Sequence, residues 1–193
     1  MTRRRVVLPL ALAVLAPVLF APARADFSLF GDYYDNIPRA VAKGDVAAVQ
    51  RLLADGTTPQ QVDENDRTGL HIAAITGNLQ IFALLVKAGA HLDAQDPLGN
   101  TPLHYAAAGN QIEMVRLMLA LHAQIDPQNK QGLTPLMMAA AHGNVEVVQT
   151  LLEAGASASK TDFTGRDAVG WARDSRKPNL VSIIERAAAK KPR

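Results

Sequence analysis

The chain has 193 residues, with 20 lysine and arginine side chains, 18 aspartate and glutamate side chains and no cysteine. The lack of cysteine excludes disulfides, Cys-ligated zinc and thiolate nucleophiles from this chain. Residues 1–25 hold four of the arginines and no acidic residue, so residues 26–193 carry 16 basic and 18 acidic side chains. This nearly neutral balance argues against a nucleic-acid partner.

The first 25 residues have the order of a secretory signal peptide. Three arginines at 3–5 precede an apolar run at 6–20, and Ala23-Arg24-Ala25 offers the small residues that a signal peptidase accepts. The apolar run has 15 residues, fewer than the roughly 20 of a membrane-spanning helix, which disfavours an uncleaved anchor. The basic start also resembles a twin-arginine signal, and the export route stays open. We expect cleavage after Ala25 and no membrane association afterwards.

Residues 26–34 form an aromatic N-terminal arm. They hold four of the nine aromatic residues of the chain, Phe27, Phe30, Tyr33 and Tyr34. Two interpretations remain open for this segment. It is either a lid packed on the helical region that follows or an arm that docks onto a partner.

Residues 35–187 repeat one pattern with a period of 33 residues. The segment TPLHYA at 101–106 recurs as TPLMMA at 134–139 and as TGLHIA at 68–73. Glycine recurs at the same spacing just before these segments, at positions 99, 132 and 165, with Asp66 in the first place. Apolar residues align in the same way: Leu79 with Ile112 and Val145, Phe82 with Val115 and Val148, and Leu85 with Met118 and Leu151. A 33-residue period with the motif T-P-L-H-x-A resembles the ankyrin repeat.

The resemblance implies an all-α ankyrin-repeat solenoid of about five helix-turn-helix repeats with short β-turn fingers. A single repeat cannot bury its apolar face alone, so stability is expected to come from the stacking of neighbours. Glu185 stands in a core column of the last repeat, which suits a helix that faces water. The repeats are expected at approximately 35–62, 63–95, 96–128, 129–161 and 162–187, followed by a basic tail at 188–193.

Local residue choices agree with this periodicity. Threonine at the start of each first helix can cap it, and proline suits the first turn, where no N–H is needed. The glycines at 77, 89, 143 and 155 are expected to end helices in the left-handed conformation. In the third repeat, Asn110 and His122 replace two of these glycines. Both residue types tolerate positive φ, so we expect the hairpin to survive with some strain.

His71 and His104 share the motif position of two successive repeats. One interpretation is a metal pair. The other is that each ring bonds to backbone near the turn between repeats, as the ankyrin resemblance implies. Met137 fills the same column, and no histidine–carboxylate cluster has the spacing of metal ligands, so we expect a structural role and no metal site.

One acidic or amide residue opens each turn between repeats. These residues could be mistaken for a row of catalytic carboxylates. Successive repeats stack roughly 10 Å apart, which is too far for a hydrogen-bonded pair, and local turn capping explains them better. The chain also lacks a nucleophile elbow and a phosphate-binding glycine loop, so we expect neither enzyme activity nor a cofactor. The turn-opening residues are Asp63, Asp96, Asn129 and Asp162.

In proteins of the ankyrin type, partners contact a concave surface of turn tips and first-helix ends, and the same is expected here. Leu98, Leu133 and Phe163 are expected to be exposed apolar residues at the tips, with Arg67 and Arg166 as a charged rim. Tyr105 could instead be part of the core between repeats. The predicted partner-binding residues are Glu64, Asn65, Arg67, Ile75, Thr76, Pro97, Leu98, Asn100, Tyr105, Lys130, Gln131, Leu133, Met138, His142, Phe163, Thr164 and Arg166.

The signal peptide and the repeats together resemble small periplasmic ankyrin-repeat proteins of Gram-negative bacteria. That resemblance implies a monomeric, periplasmic module that binds a protein partner, with protection against peroxide as one role. An immunity or inhibitor protein against a toxin or enzyme is the alternative. A carrier of a small molecule or haem is a third hypothesis, and it would require a dedicated apolar pocket.

The mature protein is expected to begin at Asp26, because the Ala23-Arg24-Ala25 pattern and the change in charge both fall there. N-terminal sequencing of protein isolated from the periplasm checks this. A start at Met1, or one far from residue 26, would contradict it.

Overall fold

The computed structural model describes residues 36–175 and 177–189. The predicted signal peptide, the aromatic arm and residues 190–193 of the basic tail lie outside the described residues. Among those described there are ten helices, and the only bridges of β type are the isolated pairs Val62–Thr68 and Thr161–Asp167. The predicted all-α repeat solenoid is confirmed. In this part of the chain no helix is both long and apolar enough to cross a bilayer.

The helices form five hairpins that stack in chain order. The first helices of the hairpins pack against one another in one layer, α1 on α3, α3 on α5, α5 on α7 and α7 on α9. Among the second helices, α2 packs on α4, α6 on α8 and α8 on α10. The helices are α1 (Ile37–Ala42), α2 (Val46–Ala54), α3 (Gly69–Thr76), α4 (Leu79–Lys87), α5 (Pro102–Ala108), α6 (Ile112–Ala120), α7 (Pro135–His142), α8 (Val145–Glu153), α9 (Ala168–Asp174) and α10 (Pro178–Ala189).

The first helices begin at side chains that cap the backbone. Thr68 and His71 form a reciprocal capping box, as do Thr101 and His104. The last repeat lacks the motif threonine, and Asp167 caps its first helix instead. The Asp167 carboxylate accepts from the Gly170 N–H at 2.8 Å. The atypical last repeat therefore keeps a defined helix start.

The core lies between the two helix layers. Three sets of equivalent positions in the second helices, called columns here, are fully buried. The column that contains Ile81 is one that the sequence pattern did not identify. Leu79, which the pattern aligned as apolar, is 39% exposed. Each large side chain that is buried stabilises the fold by roughly 1.5–3 kcal/mol. The buried columns are Ile81, Met114 and Val147; Phe82, Val115 and Val148; and Leu85, Met118 and Leu151.

The left-handed positions fall where the sequence predicts them. Asn110 has φ of 56° and His122 has φ of 62°, and Asp66 takes the place of a turn glycine with φ of 55°. Gly77 ends α3 in the same region of φ, at 71°. In the last repeat Ala188 stands in the column of Gly89, His122 and Gly155, and α10 continues through it to Ala189, since alanine strongly disfavours positive φ.

Replacing Asn110 or His122 by glycine is expected to raise the free energy of unfolding by up to about 1 kcal/mol, because a side chain at positive φ is strained. The greater freedom of glycine in the unfolded chain limits the gain. Chemical denaturation of each variant measures the effect, with Asn65→Gly, at an exposed turn position, as a control for the entropy cost. Destabilisation by both substitutions would show that these side chains contribute native contacts.

Candidate partner-binding surface

Each turn between repeats, called a finger here and numbered by its repeat, is closed by the first residue of the turn. In finger 3, Oδ1 of Asp96 accepts from the backbone N–H groups of Leu98 and Asn100, at 2.9 and 2.8 Å. The other fingers repeat this arrangement, with Asn129 as the acceptor in finger 4. The prediction of local turn capping is confirmed. The fingers are residues 63–67, 96–100, 129–133 and 162–166, numbered 2 to 5.

The second carboxylate oxygen of each acidic finger residue is also occupied. Oδ2 of Asp63 accepts from the guanidinium of Arg67 at 2.7 Å, and Oδ2 of Asp162 accepts from the indole N–H of Trp171 at 3.0 Å. Oδ2 of Asp96 accepts from the hydroxyl of Tyr105. Burial raises the pKa of these three carboxyl groups, but the hydrogen bonds that they accept outweigh it, and each pKa lies below the ordinary value. All three are held as ionised structural acceptors.

The motif histidines join each first helix to the next finger. Nδ1 of His71 accepts from the Thr68 N–H at 3.1 Å, and its Nε2 donates to the carbonyl of Asn100 at 3.0 Å. His104 repeats this with Thr101 and the carbonyl of Leu133. The predicted structural role is confirmed by these bonds. Within the described residues, no group of three or more histidine, cysteine, aspartate or glutamate side chains could hold a metal ion.

Fingers 3, 4 and 5 are bonded to one another through their backbones. The Lys130 N–H donates to the carbonyl of Leu98 at 2.9 Å, and the Phe163 N–H donates to the carbonyl of Gln131 at 3.1 Å. This close approach requires glycine: a Cβ at Gly132 would lie 2.7 Å from the Phe163 nitrogen. We call the three bonded fingers, residues 96–100, 129–133 and 162–166, the platform.

Finger 2 lacks the equivalent bond. The residue of finger 3 that would donate to it is Pro97, which has no N–H. The turn glycine of finger 2 is correspondingly replaced by Asp66, whose Cβ would not fit if finger 3 lay as close as the platform fingers lie to one another. Sequence reasoning missed this boundary, although the pairing of Pro97 with Asp66 was the signal for it.

Most of the predicted partner-binding residues lie on the surface. The largest exposed apolar side chains at the fingers are Phe163, 73% exposed, and Leu98, 63% exposed, and Ile75 follows at 38%. Arg67, Tyr105, Leu133, Met138 and Arg166 are partly buried. The exposed members of the set are Glu64, Asn65, Ile75, Thr76, Pro97, Leu98, Lys130, Gln131, His142, Phe163 and Thr164.

Two of the predicted positions need correction. Asn100 is only 5% exposed, because its side chain accepts from Asn129 at 2.8 Å and its backbone carbonyl binds His71. It belongs to the framework between fingers. Leu133 packs against the hydrophobic core and is not an exposed tip residue. Both lie at the last position of a finger, where the chain turns inward to begin the next helix.

The two arginines of the predicted rim are tied to their own repeats. Arg67 pairs with Asp63 at 2.7 Å. Arg166 pairs with Asp174, and its guanidinium lies 4.1 Å from the ring centre of Trp171. Both arginines are therefore held by acidic residues of their own repeats. Lys130, the lysine of the set, forms no ion pair among the described residues.

A second concavity lies between α8, the loop that follows it and α10. It has a volume of about 570 Å³ and is lined by apolar residues, among them Leu152 and Ile183, and by polar residues, among them Glu153 and Arg186. It exists because α10 continues through Ala188 instead of turning, as the earlier repeats do at Gly89 and Gly155. The described residues that line this groove include no histidine, methionine, cysteine or tyrosine, so it offers haem no axial ligand.

Comparison with known proteins places the whole helical region in one family. The model of ankyrin repeats (three copies) matches residues 38–129, 89–162 and 113–190. Curated relatives include the potassium channels GORK and SKOR of Arabidopsis thaliana, each 43% identical over 60 residues, and KOR1 of Oryza sativa subsp. japonica, 47% identical over 60 residues. These matches cover 31% of this chain and about 7% of the length of each channel, so the likeness is confined to a short stretch of repeats.

The free energy of unfolding is expected to fall as the pH drops below about 6.5, the ordinary pKa of histidine. Burial lowers the pKa of His71 and of His104 in the folded protein. In this pH range the unfolded chain therefore binds protons that the folded chain excludes. Protonation of Nδ1 would also turn the hydrogen bond that it accepts from the threonine N–H into a repulsion between two N–H groups. The lowered pKa values of the finger carboxylates act only below about pH 4, so the two effects are separable.

Urea denaturation between pH 7.5 and pH 5 measures this dependence. Replacing His71 or His104 by alanine is expected to cost about 0.5–2 kcal/mol at pH 7 and to flatten the slope. Met137→Ala, which removes a buried side chain of the same column that has no titratable group, is the matched control and should leave the slope unchanged. An unchanged slope in both buried-histidine variants would show that other groups cause the acid sensitivity.

Proposed function

Because the chain belongs to the ankyrin-repeat family, we propose that it is an exported interaction module that binds a periplasmic or extracellular protein through the concave surface of its fingers and first-helix ends. The observation that carries this proposal is the pair of exposed side chains Leu98 and Phe163 on fingers whose backbones are bonded together. Large apolar residues on a rigid frame are typical of the centre of a protein interface.

Support for the location comes from residues 1–25, whose basic, apolar and small-residue segments follow the order of a cleavable signal. A partner of the exported protein would then lie outside the cytoplasm. Protection against peroxide is the cellular role that we propose for the complex. The chain has no cysteine thiol to react with peroxide, and we propose that protection acts through the bound partner.

An immunity or inhibitor protein is the alternative role for the same surface. The two roles differ in what the partner does when it is unbound. Deletion of an inhibitor releases a toxic or enzymatic activity without added oxidant, whereas deletion of a peroxide-protective protein lowers survival only after peroxide is added. Survival of the deletion strain with and without peroxide, each complemented with the wild-type chain, separates the two roles.

The acidic residues at the fingers support binding rather than catalysis. Asp63, Asp96 and Asp162 each accept backbone and side-chain hydrogen bonds that hold them ionised. A general acid or base needs a pKa near the working pH and a free oxygen aimed at a substrate. We therefore propose no chemical reaction for this surface.

Affinity purification after crosslinking in the periplasm identifies the partner by mass spectrometry. The double variant Leu98→Asp/Phe163→Asp is expected to lose capture, because it places two charges in the apolar centre of the proposed interface. Its thermal midpoint should stay close to that of the wild type, since exposed substitutions usually cost within about 0.5 kcal/mol.

Leu133→Asp is the matched control for this experiment. The same chemical change at a partly buried leucine is expected to lower the thermal midpoint, because a carboxylate would enter the edge of the core. Unimpaired capture by a folded Leu98→Asp/Phe163→Asp variant would contradict the proposed surface. It would direct attention to the aromatic arm at residues 26–34.

A further inference from the structure

Finger 4 differs from the other fingers in its charge. Fingers 2, 3 and 5 are closed by the carboxylates of Asp63, Asp96 and Asp162, whereas finger 4 is closed by the neutral amide of Asn129. The amide keeps both capping bonds, at 2.9 Å to the N–H groups of Gln131 and Leu133. Its Nδ2 also donates to Asn100. The fold of the finger is preserved and its negative charge is missing.

The uncompensated cation of this finger is Lys130. Its side chain is exposed, and no carboxylate among residues 36–175 and 177–189 lies within ion-pair distance of it. The other two basic residues of the fingers, Arg67 and Arg166, are each paired with an aspartate. Finger 4 therefore carries a positive charge through Lys130, whereas the carboxylates of fingers 3 and 5 are occupied by the hydrogen bonds that close those fingers.

Exposed apolar side chains border Lys130 on both neighbouring fingers. Its own N–H is bonded to the carbonyl of Leu98. On the other side, the ring of Phe163 leans back over finger 4, where a Cβ built on Gly132 would lie 2.8 Å from its Cδ1 atom. Lys130 thus lies on the finger between those that carry Leu98 and Phe163, and backbone hydrogen bonds join all three.

We propose that the platform recognises a partner segment in which an aspartate or glutamate is flanked by apolar residues. The carboxylate would pair with Lys130, while the flanking side chains would cover Leu98 and Phe163. Apolar contacts on both sides exclude water from the ion pair, and charges attract more strongly where water is excluded. This proposal rests on the function proposed above and adds the chemistry of the partner.

The backbone bonds between the fingers set the spacing within that segment. Leu98 and Phe163 are linked through two hydrogen bonds and one residue step of finger 4, so their Cα atoms lie no more than about 15 Å apart. An extended chain covers this in about four or five residues. The acidic residue is therefore expected near the centre of the segment, with an apolar residue about two positions away on each side.

Selection from a phage-displayed library of random peptides tests the proposal. The full chain is immobilised, and phage that also bind the Phe163→Asp variant are removed, so that only peptides bound at the platform are kept. Peptides selected on the wild type are expected to carry the apolar–acidic–apolar pattern. The same selection on Lys130→Glu is expected to replace the acidic residue by lysine or arginine, because the charge that it meets has been reversed.

Fluorescence anisotropy of the selected synthetic peptides gives the magnitude. Lys130→Glu is expected to weaken binding of an acidic peptide by about tenfold or more, and Lys130→Arg to change it by less than about threefold. Lys87→Glu, the same charge change at an exposed residue at the end of α4, should leave binding unaltered. Binding by the wild type should also weaken as the salt concentration rises.

Each outcome decides between the two proposals. Platform peptides without an acidic residue, or with affinities insensitive to Lys130→Glu, would overturn the proposed specificity and leave the binding surface intact. Failure to select any peptide that Phe163→Asp loses would overturn both. A charge swap in the selected sequences, with no change in thermal midpoint between the variants, supports the specificity.

Discussion

No helix hairpin of this chain can bury its apolar face by itself, and this constraint organises the rest of the structure. Ordering a residue costs about 1–2 kcal/mol of backbone entropy, which a lone pair of helices of six to nine residues, such as α1 with α2, cannot offset. Stacking solves the problem by placing Phe82, Val115 and Val148 of successive hairpins in one continuous core. The same side chains must therefore recur every 33 residues, while the finger tips remain free to differ.

Hydrogen bonds that close the fingers and join them to the first helices also hold neighbouring repeats together. Each finger is closed by one side-chain oxygen that takes two backbone N–H groups, and the ring of His71 or His104 then ties a helix to the next finger. The turn needs only an acceptor oxygen on its first residue. That residue can therefore be an aspartate or an asparagine without a change in the geometry of the turn. Asn129 shows this: it preserves the turn of finger 4 while removing a charge. The geometry of a finger and its charge are thus set by different atoms of the same residue.

The repeat explains which features the sequence predicts well. Positions equivalent to a known glycine were expected to be left-handed, and Asn110 and His122 are. The roles of the motif histidines and of the turn-opening aspartates followed in the same way. Periodicity says which residues share a column, but it does not say how a helix is rotated. That is why Leu79 was aligned as apolar although it is exposed, and the buried column of Ile81 was overlooked.

The candidate site was less predictable because it depends on contacts between residues that no period relates. Arg166 is held by Asp174, eight residues away, and Arg67 by Asp63, so neither is the free rim charge that the pattern suggested. Leu133 and Asn100 stand at finger positions but turn inward. Lys130 became distinctive only once the pairing of its neighbours was known. Charge pairing is a property of the folded surface, and composition cannot supply it.

The missing bond at Pro97 divides the finger row into parts that evolution can treat differently. A substitution in fingers 3 to 5 must respect a neighbour whose backbone lies within 3 Å of where a new Cβ would be, as at Gly99 and Gly132. Among the described residues, no such backbone bond joins finger 2 to finger 3. Substitutions at its exposed positions therefore meet fewer steric limits, so new contacts can be tried at one end of the surface while the platform keeps its geometry.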